Sequence, residues 1–141
     1  MLAYIFAGLA AITAALVAIF GKIGLEKVDP TAATAVRGVI MAAILVVAAV
    51  AFKKLDLATL ASFAGKEWLW IILAGVAGAA SWLFYFIALK QGDATAVVAI
   101  DRLSIVFVLI LAAFFLGESI TIKTALGGAL VFIGALLIAF K

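Results

Sequence analysis

Three charged residues, Arg37, Asp101 and Arg102, lie inside long apolar stretches of this 141-residue chain. A charge at the centre of a membrane helix costs roughly 2.5 to 3.5 kcal/mol on insertion scales, so it usually faces a bundle interior or a water-filled cavity. Asp101 is a candidate proton-coupling residue, because desolvation and a nearby arginine act on its protonation in opposite directions. Arg37 and Arg102 are candidate substrate-binding residues, because a guanidinium without a carboxylate partner binds a carboxylate or phosphate in a bidentate way.

The same three residues also fit a purely structural role. Arg37 paired with Asp101 would form a clamp, while Arg102 would extend to the lipid headgroups. Under either interpretation two cations stand against one anion. This surplus of positive charge favours an anionic or zwitterionic ligand over a cationic one.

Uncharged residues at helical spacing extend this candidate site. Ser81, Trp82 and Tyr85 share one face of the third apolar stretch, and Ser104 shares a face of the fourth with Asp101. These residues are predicted to line a polar and aromatic cavity that binds a substrate. The alternatives are membrane-interface positions for the two aromatic residues and serine hydroxyls bonded to their own helices.

Depth along the helices supports a shared cavity. Arg37 and Asp101 each lie seven residues inside their apolar stretches, which start from the same side, so both are expected about 10 Å deep. Trp82 lies at a similar depth in the stretch between them. The three side chains are therefore expected at one level of the membrane.

The composition predicts an integral membrane protein. With 70% hydrophobic and 12% charged residues, the chain has too little polar surface to cover a soluble globule. Five apolar runs are each close to the about 20 residues that cross a bilayer core, approximately 2–21, 30–52, 68–89, 94–117 and 121–140. Their apolar residues are continuous and do not alternate, which predicts helices, so the expected fold is all-α, with five transmembrane helices in a single domain over residues 1–141.

Two connections and the first run complete this outline. Asp29 before Pro30 is predicted to cap the second helix, and Asp93 to cap the fourth. The segment 55–65 is interpreted as a loop, with an interfacial amphipathic segment as the alternative. No basic segment precedes the first run, so it is expected to stay in the mature protein.

Several classes of function are excluded by residue content. The chain has no cysteine and no histidine, which excludes a disulfide framework, a thiol nucleophile and a metal site with His or Cys ligands. It has no P-loop, so no cofactor is expected and the protein is not predicted to be an enzyme. The lysines form no basic stripe, so nucleic-acid binding is not expected.

The lysines between the predicted spans are divided evenly between the two sides of the membrane. Four lie on each side: Lys53, Lys54, Lys66 and Lys123 against Lys22, Lys27, Lys90 and Lys141. An even count removes the positive-inside bias, so two copies in opposite orientations could pair. If Arg37 and Arg102 act as end charges, the C-terminal side is instead the preferred cytoplasmic face.

Short motifs resemble the EamA-like domain of the drug/metabolite transporter superfamily. The segment Ala88–Ala94 is similar to the family's A-L-x-x-G-x-A turn between spans three and four, and Phe115–Glu118 is similar to its F-L-G-E. The pair Gly127 and Gly134 resembles its final G-x-x-x-x-x-x-G helix. Being seven residues apart, these glycines share a helix face suited to packing within the subunit or across a dimer interface.

The resemblance implies an alternating-access transporter of a small-molecule substrate in the lipid bilayer. Most family members join two five-helix units as inverted repeats, whereas this chain carries one. A dimer is therefore implied, either an antiparallel homodimer or a pair with a second half-size chain. The acidic residue that carries protons in the first span of the related small multidrug resistance family is absent here, as is the proline that many EamA-like members carry near Ser104.

The expected function is secondary transport of a small organic metabolite, amino acid-like or otherwise anionic or zwitterionic. Export across the cytoplasmic membrane of a prokaryotic cell, coupled to protons or to exchange, is the form that the resemblance implies. Two alternatives stand beside it. One is a subunit of a heteromeric flippase for a lipid-linked sugar, and the other is a non-transporting accessory or scaffold protein.

Overall fold

The computed structural model describes residues 1–140, apart from the side chain of Leu57, and contains only helices there. Lys141, one of the eight lysines counted above, lies outside the described residues. The helices are α1 (Leu2–Gly24), α2 (Pro30–Ala51), α3 (Leu57–Ser62), α4 (Gly65–Gln91), α5 (Ala94–Asp101), α6 (Ser104–Phe115) and α7 (Ile122–Ala139). Five spans are long and apolar enough to cross a membrane, with α5 and α6 together forming the fourth. The predicted all-α class with five candidate transmembrane helices is confirmed.

Helix starts follow the local signals in the sequence. Asp29 caps α2, where its Oδ1 accepts the backbone N–H groups of Thr31 and Ala32 at 2.9 and 3.0 Å, and Pro30 occupies the first turn. Asp93 occupies the N-cap position of α5, but its side chain makes no cap hydrogen bond there. The segment interpreted as a loop contains the short helix α3, which Asp56 caps by accepting the Thr59 N–H at 2.6 Å.

The fourth span, expected as one helix, is interrupted after Asp101. At this point the N–H of Leu103 donates to the Ile100 carbonyl at 2.9 Å, and the N–H of Ile105 donates to the Arg102 carbonyl at 3.1 Å. Both bonds reach back three residues, so the backbone tightens into a 3₁₀-like turn between α5 and α6. Neither proline nor glycine lies at this turn.

The chain divides into two compact units. The first comprises residues 1–23 together with the chain from Gln91 onward, and the second comprises Gly24–Lys90. In the first unit α7 packs against α5 and α6. A Cβ at Gly128 would lie 2.8 Å from Cδ1 of Leu109, so this glycine permits the close approach of α6 and α7.

Two lysines bind backbone carbonyl groups, one within each unit. In the first unit the ammonium of Lys22 donates to the Gly92 carbonyl at 2.7 Å. In the second unit the ammonium of Lys90 donates to the carbonyls of Leu25 and Glu26, the latter at 2.8 Å. Both lysines lie near helix C-termini, where cations are favoured by the helix dipole.

Most large apolar side chains on the described helices are exposed. The buried apolar residues are few, namely Ala18, Leu25, Phe86, Leu89, Ala99, Ala112 and Ala135. An apolar exterior of this extent is unfavourable in water and suits a lipid environment. The protein is therefore a multi-pass membrane protein.

Candidate functional site

Arg37 stacks on aromatic rings inside the second unit. Its guanidinium carbon lies 3.5 Å from the centroid of the Trp82 ring and 4.9 Å from that of Phe86. Arg37 is seven residues inside α2, and both aromatic residues belong to α4. A guanidinium over an aromatic face is held by the ring quadrupole, most strongly where water is excluded.

The aromatic residues that hold Arg37 form a compact cluster, which we define as Trp82, Tyr85 and Phe86. The ring centroids are 5.8 Å apart for Trp82 and Tyr85, 6.0 Å for Trp82 and Phe86, and 5.8 Å for Tyr85 and Phe86. Spacings of three and four residues place Tyr85 and Phe86 beside Trp82 on the helix. Phe86 is buried, and Trp82 and Tyr85 are half-buried, so the cluster is anchored in the unit.

Arg37 forms no ion pair with a carboxylate among the described residues of its unit. Its guanidinium lies over the rings of Trp82 and Phe86. Stacking occupies the face of a guanidinium and leaves its planar edge of N–H donors, the edge that recognises carboxylates. The guanidinium can therefore donate two parallel hydrogen bonds to the carboxylate of a bound anion.

A cavity of about 450 Å³ adjoins this cation between α2 and α4. Its lining consists mainly of small residues, with one hydroxyl, one cation and two larger side chains: Ala35, Gly38, Gly75, Gly78, Ala79, Thr34, Arg37, Met41 and Trp82. The Thr34 hydroxyl donates to the Pro30 carbonyl at 2.7 Å, so its oxygen keeps acceptor capacity toward the cavity. The cavity thus has a polar end at Thr34 and Arg37 and an apolar remainder.

The structure brings some of the predicted site residues together within the second unit. Arg37 and Trp82 both line the cavity. Tyr85 contacts the Trp82 ring but does not line the cavity. Ser81 is exposed and outside the lining. Phe86 was not predicted, although its position four residues after Trp82 on the same helical face was a usable signal.

The remaining predicted polar residues lie in the first unit, at the interruption of the fourth span. Asp101 ends α5, Arg102 follows it, and Ser104 begins α6. All three side chains are exposed on the described chain. Arg37 belongs to the other unit, so its pairing with Asp101 stays a prediction.

The packing role predicted for Gly127 and Gly134 stays a prediction. A Cβ at Gly127 or Gly134 would meet nothing within 4 Å, whereas Gly128 is buried against Leu109. The close approach of α6 and α7 therefore depends on Gly128, which adjoins the predicted position Gly127. A second cavity, of about 390 Å³ beside α6 and α7, has an apolar lining that includes Val106 and Phe132 and offers no charged group.

No group of three or more metal-binding side chains occurs among the residues that the structure describes. The groups that the Arg37 site does offer are a guanidinium, aromatic rings and a hydroxyl. Such groups bind and orient an organic anion.

Comparisons with known proteins agree with this architecture. The family model for EamA-like transporters matches residues 1–140. A relative from Sinorhizobium sp, named as an uncharacterized transporter in the cobO 3'region, is 41% identical over 131 residues, which are 93% of this chain and 92% of the relative. No solved structure matches the chain.

Proposed function

Because this chain belongs to the EamA-like transporter family, and is accordingly a membrane transporter and not an enzyme, we propose that it carries a small organic carboxylate by alternating access. The observation that carries this proposal is the stacked Arg37, which has no carboxylate partner within its unit. A cation kept in an apolar span needs a compensating interaction, and a substrate carboxylate supplies one.

The substrate carboxylate is proposed to bind the free edge of the Arg37 guanidinium while Trp82 holds the opposite face. Thr34 offers a hydroxyl oxygen beside it, and the rest of the substrate occupies the apolar part of the cavity. The class of substrate is therefore anionic or zwitterionic, with amino acid-like solutes included. A cationic solute would face Arg37 with no carboxylate in the lining.

Movement of the substrate is proposed to be coupled to protons through Asp101. This carboxylate ends α5 at the interrupted point of the fourth span, where Arg102 and Ser104 follow it. Irregular backbone at membrane depth is tolerated where it lines a water-filled space, and such a space would give Asp101 access to protons. Export across the cytoplasmic membrane is the proposed direction and location.

A second chain is proposed to complete the transporter. Family members commonly carry two five-helix repeats in inverted orientation, and an antiparallel homodimer would reproduce that arrangement. The even division of lysines between the two sides supports this assembly over a fixed orientation. A second half-size chain is the other partner that would fulfil the same role.

Carboxylate binding at Arg37 can be tested by the fluorescence of Trp82, which lines the cavity. The chain has three tryptophans, so the Trp68→Phe/Trp70→Phe variant retains Trp82 alone as a reporter beside Arg37. Titration in detergent would compare leucine, its deaminated analogue 4-methylpentanoate and its decarboxylated analogue 3-methylbutylamine. We expect the two carboxylates to change the Trp82 emission and the amine to leave it unchanged.

Arg37→Gln should abolish both carboxylate responses, whereas Arg37→Lys should retain a weaker one, because lysine keeps the charge but loses the planar donor edge. Uptake by proteoliposomes of the original chain would then relate binding to transport. Binding of 3-methylbutylamine as tight as that of 4-methylpentanoate would overturn the proposed substrate class.

A further inference from the structure

Glycines form much of the wall of the Arg37 cavity. Gly78 and Gly75 lie four and seven residues before Trp82 and so continue its face along α4, and Gly38 lies on α2. Glycine is a poorer helix former than alanine, so three glycines within two long helices need a physical reason.

Close helix packing within the unit does not supply that reason. A Cβ at Gly38, Gly75 or Gly78 would meet nothing within 4 Å, and none of the three has a positive φ angle. Gly128 shows the contrast, because a Cβ there would lie 2.8 Å from Leu109. What the three cavity glycines share is the empty space that they border.

The chemistry of that space restricts what fills it. Apart from Arg37, no charged side chain lines the cavity, so a second charge on a bound molecule would find no partner. Met41 lies one helical turn beyond Arg37 and adds apolar surface. The cavity therefore favours a carboxylate whose aliphatic body carries no further charge, and it holds a zwitterion such as leucine less tightly.

We propose that Gly38, Gly75 and Gly78 set the upper size limit for the aliphatic body of that carboxylate. This inference rests on the proposed function and deepens it, because among the anionic and zwitterionic solutes proposed above it names compact aliphatic monocarboxylates as the favoured substrates. A methyl group added at any of the three positions enters the cavity without a clash, and so it removes space that a longer substrate needs.

The test uses acetate, butyrate and hexanoate as probes, with the Trp82 emission of the Trp68→Phe/Trp70→Phe background as the readout. Gly75→Ala and Gly78→Ala are compared with Gly8→Ala, a control within α1 whose Cβ also meets nothing within 4 Å. Each cavity variant should weaken hexanoate binding about tenfold relative to acetate, as expected for a methyl-sized loss of space. The control should leave all three dissociation constants within about twofold of the background values, a change smaller than that loss.

The outcomes separate this inference from the proposed function. If the background protein binds none of the three carboxylates, both ideas fall together. If it binds them and Arg37→Gln abolishes binding, but neither cavity variant changes the ratio of hexanoate to acetate affinity, only the size limit is overturned. Far-ultraviolet circular dichroism and size-exclusion chromatography establish that each variant is folded, and two cavity variants protect the test against failure of one.

Discussion

The guanidinium carbon of Arg37 lies 3.5 Å from the centroid of the Trp82 ring, and this contact joins α2 to α4. A desolvated cation–π contact contributes about 2 kcal/mol or more, so the ring offsets part of the penalty of a charge within an apolar helix. It also fixes the plane of the guanidinium. The direction in which Arg37 presents its donors to an anion therefore depends on Trp82.

Removal of the Trp82 ring is predicted to weaken carboxylate binding. Trp82→Leu should raise the dissociation constant of 4-methylpentanoate by about thirtyfold, the equivalent of about 2 kcal/mol, while Trp82→Phe should retain part of the affinity. Isothermal titration calorimetry suits this comparison because the fluorophore is lost. Trp70→Phe is the matched control, since Trp70 is an exposed aromatic residue of the same helix outside the cavity. Equal affinities for Trp82→Leu and this control would contradict the role given to the ring.

The Lys90 ammonium is predicted to stabilise the second unit. Lys90→Met would leave the partly buried carbonyl of Leu25 and the exposed carbonyl of Glu26 without their donor, which should cost about 1 kcal/mol, since water can replace the donor at Glu26. Unfolding in mixed detergent micelles with increasing dodecyl sulfate would measure the change. Lys27→Met provides the comparison, because Lys27 is exposed in the same loop region. A loss of stability no larger for Lys90→Met than for Lys27→Met would rule out this contribution.

Packing of α6 against α7 is predicted to be sensitive at Gly128 and insensitive at Gly127. Gly128→Ala places a methyl group 2.8 Å from Leu109 Cδ1, so Leu109 must shift, at a cost of about 1 kcal/mol, the low end for overpacking, because Cδ1 is the end of a flexible side chain. Gly127→Ala, next to it, meets open space and should be neutral or slightly stabilising. In a Leu109→Ala background the Gly128→Ala penalty should vanish. A double-mutant cycle on detergent unfolding would reveal that coupling, and additive effects would argue against the contact.

Composition and local signals accounted for the elements of this fold better than for their contacts. The continuous apolar runs predicted five spans, and the Asp29-Pro30 pair marked the start of α2, because both depend on neighbouring residues alone. The 3₁₀-like turn after Asp101 was not predicted, since no proline or glycine marks it.

Contacts of the site were only partly accessible to sequence reasoning. Helix rise placed Arg37 and Trp82 at a similar depth, but rise alone does not tell which helix faces which. Phe86, Gly38 and Gly75 were therefore not predicted, because in the sequence they resemble ordinary lipid-facing residues. The packing role of Gly128 was not predicted either. The sequence does not show which of the adjacent glycines, Gly127 or Gly128, faces Leu109.

Asp101 is predicted to be required for proton coupling and not for folding. Asp101→Asn should abolish uptake driven by a proton gradient in proteoliposomes while substrate counterflow continues. The amide is similar in size to the carboxylate but cannot bind and release a proton. Arg102→Gln serves as the comparison at the adjacent position. The structural alternative is tested by the exchange Arg37→Asp with Asp101→Arg. Recovery of proton-driven uptake in this double variant would support a clamp and contradict the proton-carrier role.

Orientation in the membrane is predicted to be mixed. The chain has no cysteine, so one cysteine appended after Lys141 introduces a single site for a membrane-impermeant maleimide and keeps all eight lysines. With four lysines on each side, about half of the molecules should be labelled in intact cells, relative to complete labelling after solubilisation. Labelling of all molecules, or of none, would indicate one orientation and direct attention to a second half-size chain.

An antiparallel homodimer needs both orientations of the chain in one transporter. Variants that lack lysines on one side of the membrane test this requirement. Lys53→Gln/Lys54→Gln removes positive charge from one side, and Lys27→Gln/Lys141→Gln removes it from the other. Lys22 and Lys90 are retained, because their ammonium groups bind carbonyls. Each double variant should then adopt one orientation and lose transport alone, because an antiparallel partner is missing. Coexpression of the two should restore transport, whereas full activity of either variant alone would exclude an antiparallel homodimer as the transporting unit.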